Sequence, residues 1–238
     1  WEFGHAPDYK NFENQNLLSL KIDQVAANNS RFRALPDPNF NRFCVSFWMK
    51  LETTPAVSAN FKVIRFDQSS NSNQFAIEIL QGAGGTKLQT RSTTTDDFKK
   101  HVTTSTFDFT NWTQVGVFFE GISLASAAVN IYINGVLEAS SISSGAGADD
   151  VLAIVDRIDL RQNTESALFL DELNVITGSL TATQFSELYN GGTYFNVAED
   201  FSKRLDLIAS YRMGDAPGDE VSPGGEEIND VRNDNNFT

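Results

Sequence analysis

The chain is poor in the residues on which many secreted and catalytic domains depend. Of its 238 residues, one is cysteine (Cys44) and two are histidine (His5 and His101). A single cysteine excludes an intramolecular disulfide, so the fold must rest on its hydrophobic core. Cys44 lies inside an apolar stretch and reads as a small buried hydrophobe. The two histidines are far apart and have no partners at metal-ligand spacing, which argues against a structural zinc site and against a Ser-His-Asp triad. Cations are also scarce: 18 Lys and Arg stand against 31 Asp and Glu, a net charge of −13. So acidic a chain lacks the basic surface that phosphate backbones demand, and no nucleic-acid partner is expected. Attraction to anionic membrane surfaces is disfavoured for the same reason. No apolar run approaches the roughly 18 residues of a membrane span, so no membrane insertion is expected.

What is present is a β-rich pattern. Phe is abundant at 19 residues, and β-branched residues recur throughout. Phe43–Leu51 (FCVSFWMKL) places Phe43, Val45, Phe47, Met49 and Leu51 on one face at period two, with Cys44, Ser46, Trp48 and Lys50 on the other. Further strands are expected at Leu17–Val25, Arg31–Leu35, Phe61–Phe66, Gln74–Leu80, Thr86–Arg91, Trp112–Glu120, Arg157–Arg161, Ala167–Ile176 and Leu205–Met213. Ala127–Ile133 and Val136–Ser140 flank Asn134-Gly135, the strongest hairpin signal in the chain. Ser92–Asp97 reads as a polar turn, and residues 1–16 show no clean period and read as an arm.

One stretch differs. In Leu168–Gly192 (LFLDELNVITGSLTATQFSELYNGG) a strand gives way at Gly178 to a short helix. Thr181 stands at the N-cap and Gln184 three residues on completes a capping box, while Leu180 can staple onto Phe185. Phe185, Leu188 and Tyr189 share a face, and Gly191-Gly192 end the helix. A helix of about 10 residues is not stable alone in water, so it must pack on a sheet. It is expected to be the only regular helix. A dozen short strands and one helix define an all-β class: a two-sheet antiparallel jelly-roll sandwich with one short helix.

Three pieces of the chain, in order, resemble the laminin-G-like, concanavalin-A-like lectin jelly-roll domain. FCVSFWMKL is similar to its aromatic strand, NWTQVGVFFEG with VNIYINGVLEAS to its paired strands, and Leu168–Gly192 to its closing strand and helix. The segment DLIASYRMGD resembles a lead-in found before such domains, especially in structural and fibre proteins of tailed phages. The resemblance implies three parts: an N-terminal arm at 1–16, a jelly roll at 17–195, and a connector with an extra strand at 196–238. That last part either begins a second module or lends a strand to this one. The resemblance also implies an extracellular or virion-surface location and membership of a larger assembly.

The same resemblance implies a possible calcium ion. Asp171 matches the Asp of the family's closing strand, with Glu172 beside it, and Asp23, Asn28 or Asn29 would supply partner oxygens. The family's usual acidic motif near the first strand is missing, and Asp171 alone can equally bond turn amides. For a glycan, Phe98, His101 and Tyr132 are candidate stacking platforms beside polar loops; the alternative is that each is core or incidental surface. No catalytic residues are expected. The E-x-D-x-x-E strand motif of glucanases is absent, and the acidic pairs Asp96-Asp97, Asp149-Asp150 and Glu226-Glu227 fall in turns, where they cannot oppose one another across a bond. The expected function is therefore a non-enzymatic surface or virion module that attaches to glycans. A purely structural role, packing on neighbouring subunits through the terminal arms, competes with it, and a glucanase is the remote alternative.

Overall fold

The period-two strands pair into two antiparallel sheets stacked face to face. The computed structural model describes residues 2–5, 18–22, 31–34, 42–67, 74–94, 97–121, 123–124, 126–144, 157–161 and 166–213. Its strands are β1 (Glu2–His5), β2 (Leu18–Ile22), β3 (Arg31–Ala34), β4 (Arg42–Leu51), β5 (Asn60–Asp67), β6 (Gln74–Gly82), β7 (Gly85–Thr93) and β8 (Phe98–Thr103). They continue with β9 (Thr113–Glu120), β10 (Ala128–Ile133), β11 (Val136–Glu138), β12 (Ser140–Ser144), β13 (Arg157–Arg161), β14 (Leu168–Thr177) and β15 (Leu207–Tyr211). The first sheet runs β1-β2-β14-β4-β9-β10-β11, with β15 also on β14; the second runs β12-β8-β7-β6-β5-β13-β3.

Phe43, Val45, Phe47 and Met49 face inward from β4 and meet Phe66, Phe75, Ile77 and Leu88 of the other sheet. The rings interlock: Phe43 and Phe66 lie 4.9 Å apart, Phe75 and Phe119 4.7 Å. Each such pair adds about 0.5–1.5 kcal/mol beyond its buried area. The Asn134-Gly135 turn has φ 51° and 75°, the left-handed pair that a two-residue hairpin needs.

Several boundaries differ from expectation. Glu2–His5, inside the expected arm, pairs with β2. The polar stretch after Asp97 forms β8, where no strand is expected from the sequence. The carboxy-terminal strand belongs to this sandwich: β15 pairs with Leu173–Ile176 of β14, on the edge where β2 pairs with Leu168–Leu170. The expected helix is α1 (Ala182–Tyr189), and its capping box is present, with Gln184 N–H donating to Thr181 Oγ1 at 3.3 Å and Thr181 N–H to Gln184 Oε1 at 2.9 Å. Asn190, not a glycine, takes the left-handed cap at φ 45°. A second helix, the single turn α2 (Val197–Asp200), accompanies it.

Candidate functional site

The sandwich has two outer faces, and they differ in kind. On the first sheet, α1 closes most of the face. Phe185 descends into the space left by Gly116, where an added Cβ would lie 2.6 Å from its ring. It stacks on Tyr132 at 3.8 Å with 15° between the planes. Cys44, Ile176, Leu188 and Phe201 complete this second apolar cluster. Tyr132, a candidate glycan platform, is therefore buried under the helix and offers no ring face to a ligand. Burial, followed by the neighbouring Cys44, raises its hydroxyl pKa. Burial likewise pushes the Cys44 thiol up to about 12.

Beyond the helix the same face turns polar at an irregularity in β14. Glu172 has φ 47°, and the register with β4 shifts between Asp171 and Asn174. Side chains brace the bulge. Glu172 N–H donates to Asp171 Oδ1 at 2.8 Å, Asn174 Nδ2 to Glu172 O at 2.7 Å, and Ser210 Oγ to Asn174 Oδ1 at 2.7 Å. Arg212 Nε lies 3.6 Å from Glu172 Oε1, and its guanidinium sits 5.4 Å from the Tyr194 ring centre. Ser46, Trp48, Glu172, Asn174 and Tyr194 border a narrow cleft whose interior suits a water molecule rather than a sugar ring.

Asp171, the expected calcium ligand, is fully buried here and uses Oδ1 to fix the bulge. Its expected partners, Asp23 and Asn28, lie outside the described residues. Among the described residues no group of three or more His, Cys, Asp or Glu is placed to hold a metal.

The second sheet presents its outer face differently, and the register says which residues point there. Residues directly opposite across strands share a face. Arg65 lies between Asp159 on β13 and Ala76 on β6, which leads on to Arg91 on β7 and Lys100 on β8. In the neighbouring row Lys62 faces Glu78, which faces Gln89. Asp159 is held between two cations: Arg65 Nη2 at 2.5 Å from Oδ2 and Arg157 Nε at 3.2 Å from Oδ1. Gln89 Nε2 donates to Glu78 Oε2 at 2.5 Å, and Lys62 Nζ to Gln74 Oε1 at 2.8 Å. Phe98 lies half-buried on this face at the β8 end, with the Arg91 guanidinium 5.3 Å and the Lys100 ammonium 5.0 Å from its ring centre.

Of the three expected platforms, the structure brings none together. Phe98 is on the outer face of the second sheet and Tyr132 is on the first. His101 is opposite Thr90 in the row that points inward, where it is buried. Burial first, and Lys99 second, lowers its pKa to about 4, so it is neutral at physiological pH. The charged face itself was missed. Its one sequence signal is the alternation of Lys87, Gln89 and Arg91 with Leu88 and Thr90.

Fold and faces together define a jelly-roll sandwich of the lectin type, closed by a helix on one side and polar on the other. The chain belongs to the concanavalin A-like lectin/glucanases superfamily, which it matches over residues 24–186, more than half of its length. Among solved structures, it is similar to the binding domain of botulinum neurotoxin DC in complex with SialylT (13% identity, TM-score 0.58), covering 82% of this chain and 46% of that one. It is also similar to the botulinum neurotoxin type G receptor binding domain (14%, TM-score 0.54; 80% and 47%). The native heptameric SAP-like pentraxin from Limulus polyphemus is another (16%, TM-score 0.51; 71% and 81%). The chain spans about half the length of the toxin binding domains it matches. At such identity the likeness establishes the fold alone. No curated protein matches the chain significantly. Among the described residues no helix is long and apolar enough to cross a membrane.

Proposed function

We propose that the chain is a non-enzymatic binding module that attaches to glycans through the β8 end of the second sheet. The observation that carries this reading is Phe98, a half-buried aromatic ring at the β8 end of the sheet, flanked by the half-buried cations Arg91 and Lys100. A sugar offers hydroxyls to such polar groups and a C–H face to such a ring. The solved structures with this fold include receptor-binding domains, one in complex with SialylT, which agrees with the reading. Two carboxylates of the sheet's outer face, Asp159 and Glu78, are buried and in structural use. Asp159 neutralises two guanidiniums and Glu78 accepts from Gln89, whereas glycoside hydrolysis needs an opposed acid and base.

The test is a glycan array run with the intact chain and with Phe98→Ala, each with calcium and with chelator. Binding is expected for the parent and is expected to fall at least about tenfold for the variant. The chelator arm reads separately whether binding needs calcium, for which Asp171, bonded to the bulge through Oδ1, is the candidate ligand. An array without hits, or equal binding by both proteins, refutes the reading.

A second reading has its own observation. Val136, Leu137 and Ile142 lie close together in the chain at the sheet edges and are 62%, 52% and 62% exposed. Such an apolar edge fits packing against neighbouring subunits in a virion or other surface assembly. A monomer at all concentrations in light scattering would remove it.

A further inference from the structure

On one side the sandwich is open. There β11 ends the first sheet and β12 ends the second, and Ala139 alone joins them, so the chain crosses from sheet to sheet along this edge. Val136 stands opposite Ile133, and Ile142 opposite His101. Residues directly opposite share a face, so Val136 and Ile142 point between the sheets as Ile133 and His101 do. Ile133 and His101 are 5% and 4% exposed, yet Val136 and Ile142 are each 62% exposed. Two apolar side chains aimed at the interior are thus left to solvent at the rim.

We infer that β12 pairs with β12 of a second copy of this chain, antiparallel about a two-fold axis at Ile142, so that the second sheet runs on from one copy into the other. The inference rests on the subunit-packing reading above and gives it a partner and a register. Three observations converge. First, Ser140-Ser141-Ile142-Ser143-Ser144 reads the same in both directions. An antiparallel dyad therefore sets Ser140 opposite the partner's Ser144, Ser141 opposite the partner's Ser143 and Ile142 opposite the partner's Ile142. A two-fold interface demands such self-complementarity. Second, β12 lacks the charges that guard the other edges. β1 carries Glu2, β3 carries Arg31 and Arg33, and β11 carries Glu138, while the uncharged β15 is largely buried. Third, charge is complementary about the axis. Lys99 and Lys100 lie opposite Ser144 and Ser143 at one end of β12, and Glu138 stands two residues before its other end. The dyad sets the cationic end of each copy beside the acidic end of the other.

The pairing closes the open side. Directly opposite residues have Cβ atoms about 4.5–5.5 Å apart, so the two Ile142 side chains cover one another on the interior side of the joined sheet. The strand is only five residues long, and repulsion between two copies of net charge −13 opposes it, so the dimer is weak and concentration-dependent rather than obligate. The axis also uses up the edge. Once β12 is paired, neither copy offers it again, and association through it stops at two.

The test takes the intact chain through sedimentation velocity over a roughly hundredfold concentration range. A monomer–dimer equilibrium is expected, with no larger species. Ile142→Lys sets two ammonium groups directly opposite one another and is expected to weaken the dimer at least about tenfold. It is expected to melt like the parent at low concentration, since Ile142 is exposed in the single copy. Ile142→Cys is expected to give a disulfide-linked dimer under mild oxidation, because opposite Cα atoms about 4.5–5.5 Å apart lie within disulfide reach. Cys44 is fully buried and does not compete. Leu205→Cys, at a site 83% exposed in the turn after α2, is the control and is expected to link far more slowly. A dimer that Ile142→Lys leaves intact overturns the inference but not the subunit-packing reading. The same holds for Ile142→Cys linking no faster than Leu205→Cys, and for assemblies that grow past two. A parent that is monomeric throughout removes both, and leaves the glycan reading untouched.

Discussion

Replacing Gly116 by alanine tests how the helix is seated. An alanine Cβ at this position would lie 2.6 Å from Cδ1 and 2.8 Å from Cε1 of Phe185, distances that real contacts do not reach. Gly116 does not have a positive φ, so the cost is steric rather than conformational. Phe185 has nowhere to retreat, because it is fully buried and stacked at 3.8 Å on Tyr132. Overfilling a packed site costs about 1–3 kcal/mol, and disturbing the ring pair up to about 1.5 more. A loss of about 2–3 kcal/mol is expected, which for a domain of this size lowers the melting temperature by roughly 5–10 °C. Urea unfolding of Gly116→Ala measures it, with Phe185→Leu and the double variant closing a thermodynamic cycle. With the ring removed, the alanine should cost little. A Gly116→Ala variant within about 0.5 kcal/mol of the parent would refute the reasoning. So would a penalty that persists undiminished in the Phe185→Leu background.

Other consequences follow from the same packing. His101 has a folded pKa of about 4 against 6.5 when exposed, so the unfolded state takes up a proton first as pH falls. The stability this histidine contributes is intact above pH 6.5 and is lost towards pH 4, by at most about 3 kcal/mol. Urea melts across that window should slope, and His101→Leu should flatten the slope; superimposable profiles would contradict the assignment. Thr181→Ala removes the hydroxyl that receives Gln184 N–H and should cost about 1 kcal/mol in chemical denaturation. An unchanged midpoint would mean that the capping box adds nothing. Cys44, fully buried with its thiol pKa pushed up to about 12, should resist a thiol-reactive chromogen in the native protein and react once in denaturant. Rapid native labelling would mean that α1 opens readily.

Legibility in the sequence followed locality. The capping box needs only residues 181 and 184, and the hairpin turn needs only 134 and 135, so both could be read directly. The inward face of β4 was readable because its period is unbroken. β14 was harder. Leu168 and Leu170 point inward, then Leu173 and Val175, an odd step that a straight strand does not allow. The bulge at Glu172 restores the inward set, and a step of three between core leucines was its trace in the sequence. β8 was missed because its inward positions are polar. Lys99 spans to Ala127 O at 2.6 Å and His101 is buried neutral, so no apolar alternation marks the strand.

The candidate site was least legible because it is a property of pairing rather than of sequence. Net charge sums over the whole chain, whereas a ligand senses charge within about a screening length. Lys62, Arg91, Lys100 and Arg157 are scattered over nearly a hundred residues, and only the order β8-β7-β6-β5-β13 assembles them on one face. The same ordering separates Phe98 from Tyr132 despite their common aromatic character. Composition could exclude a uniformly basic protein, but it could not exclude a basic face on an acidic one. A sandwich makes such a division inexpensive, since its stability resides between the sheets and in the helix-covered side. On the second sheet's outer face, by contrast, Asp159 and Arg65 are buried as a pair, so removing either partner would leave a buried charge uncompensated.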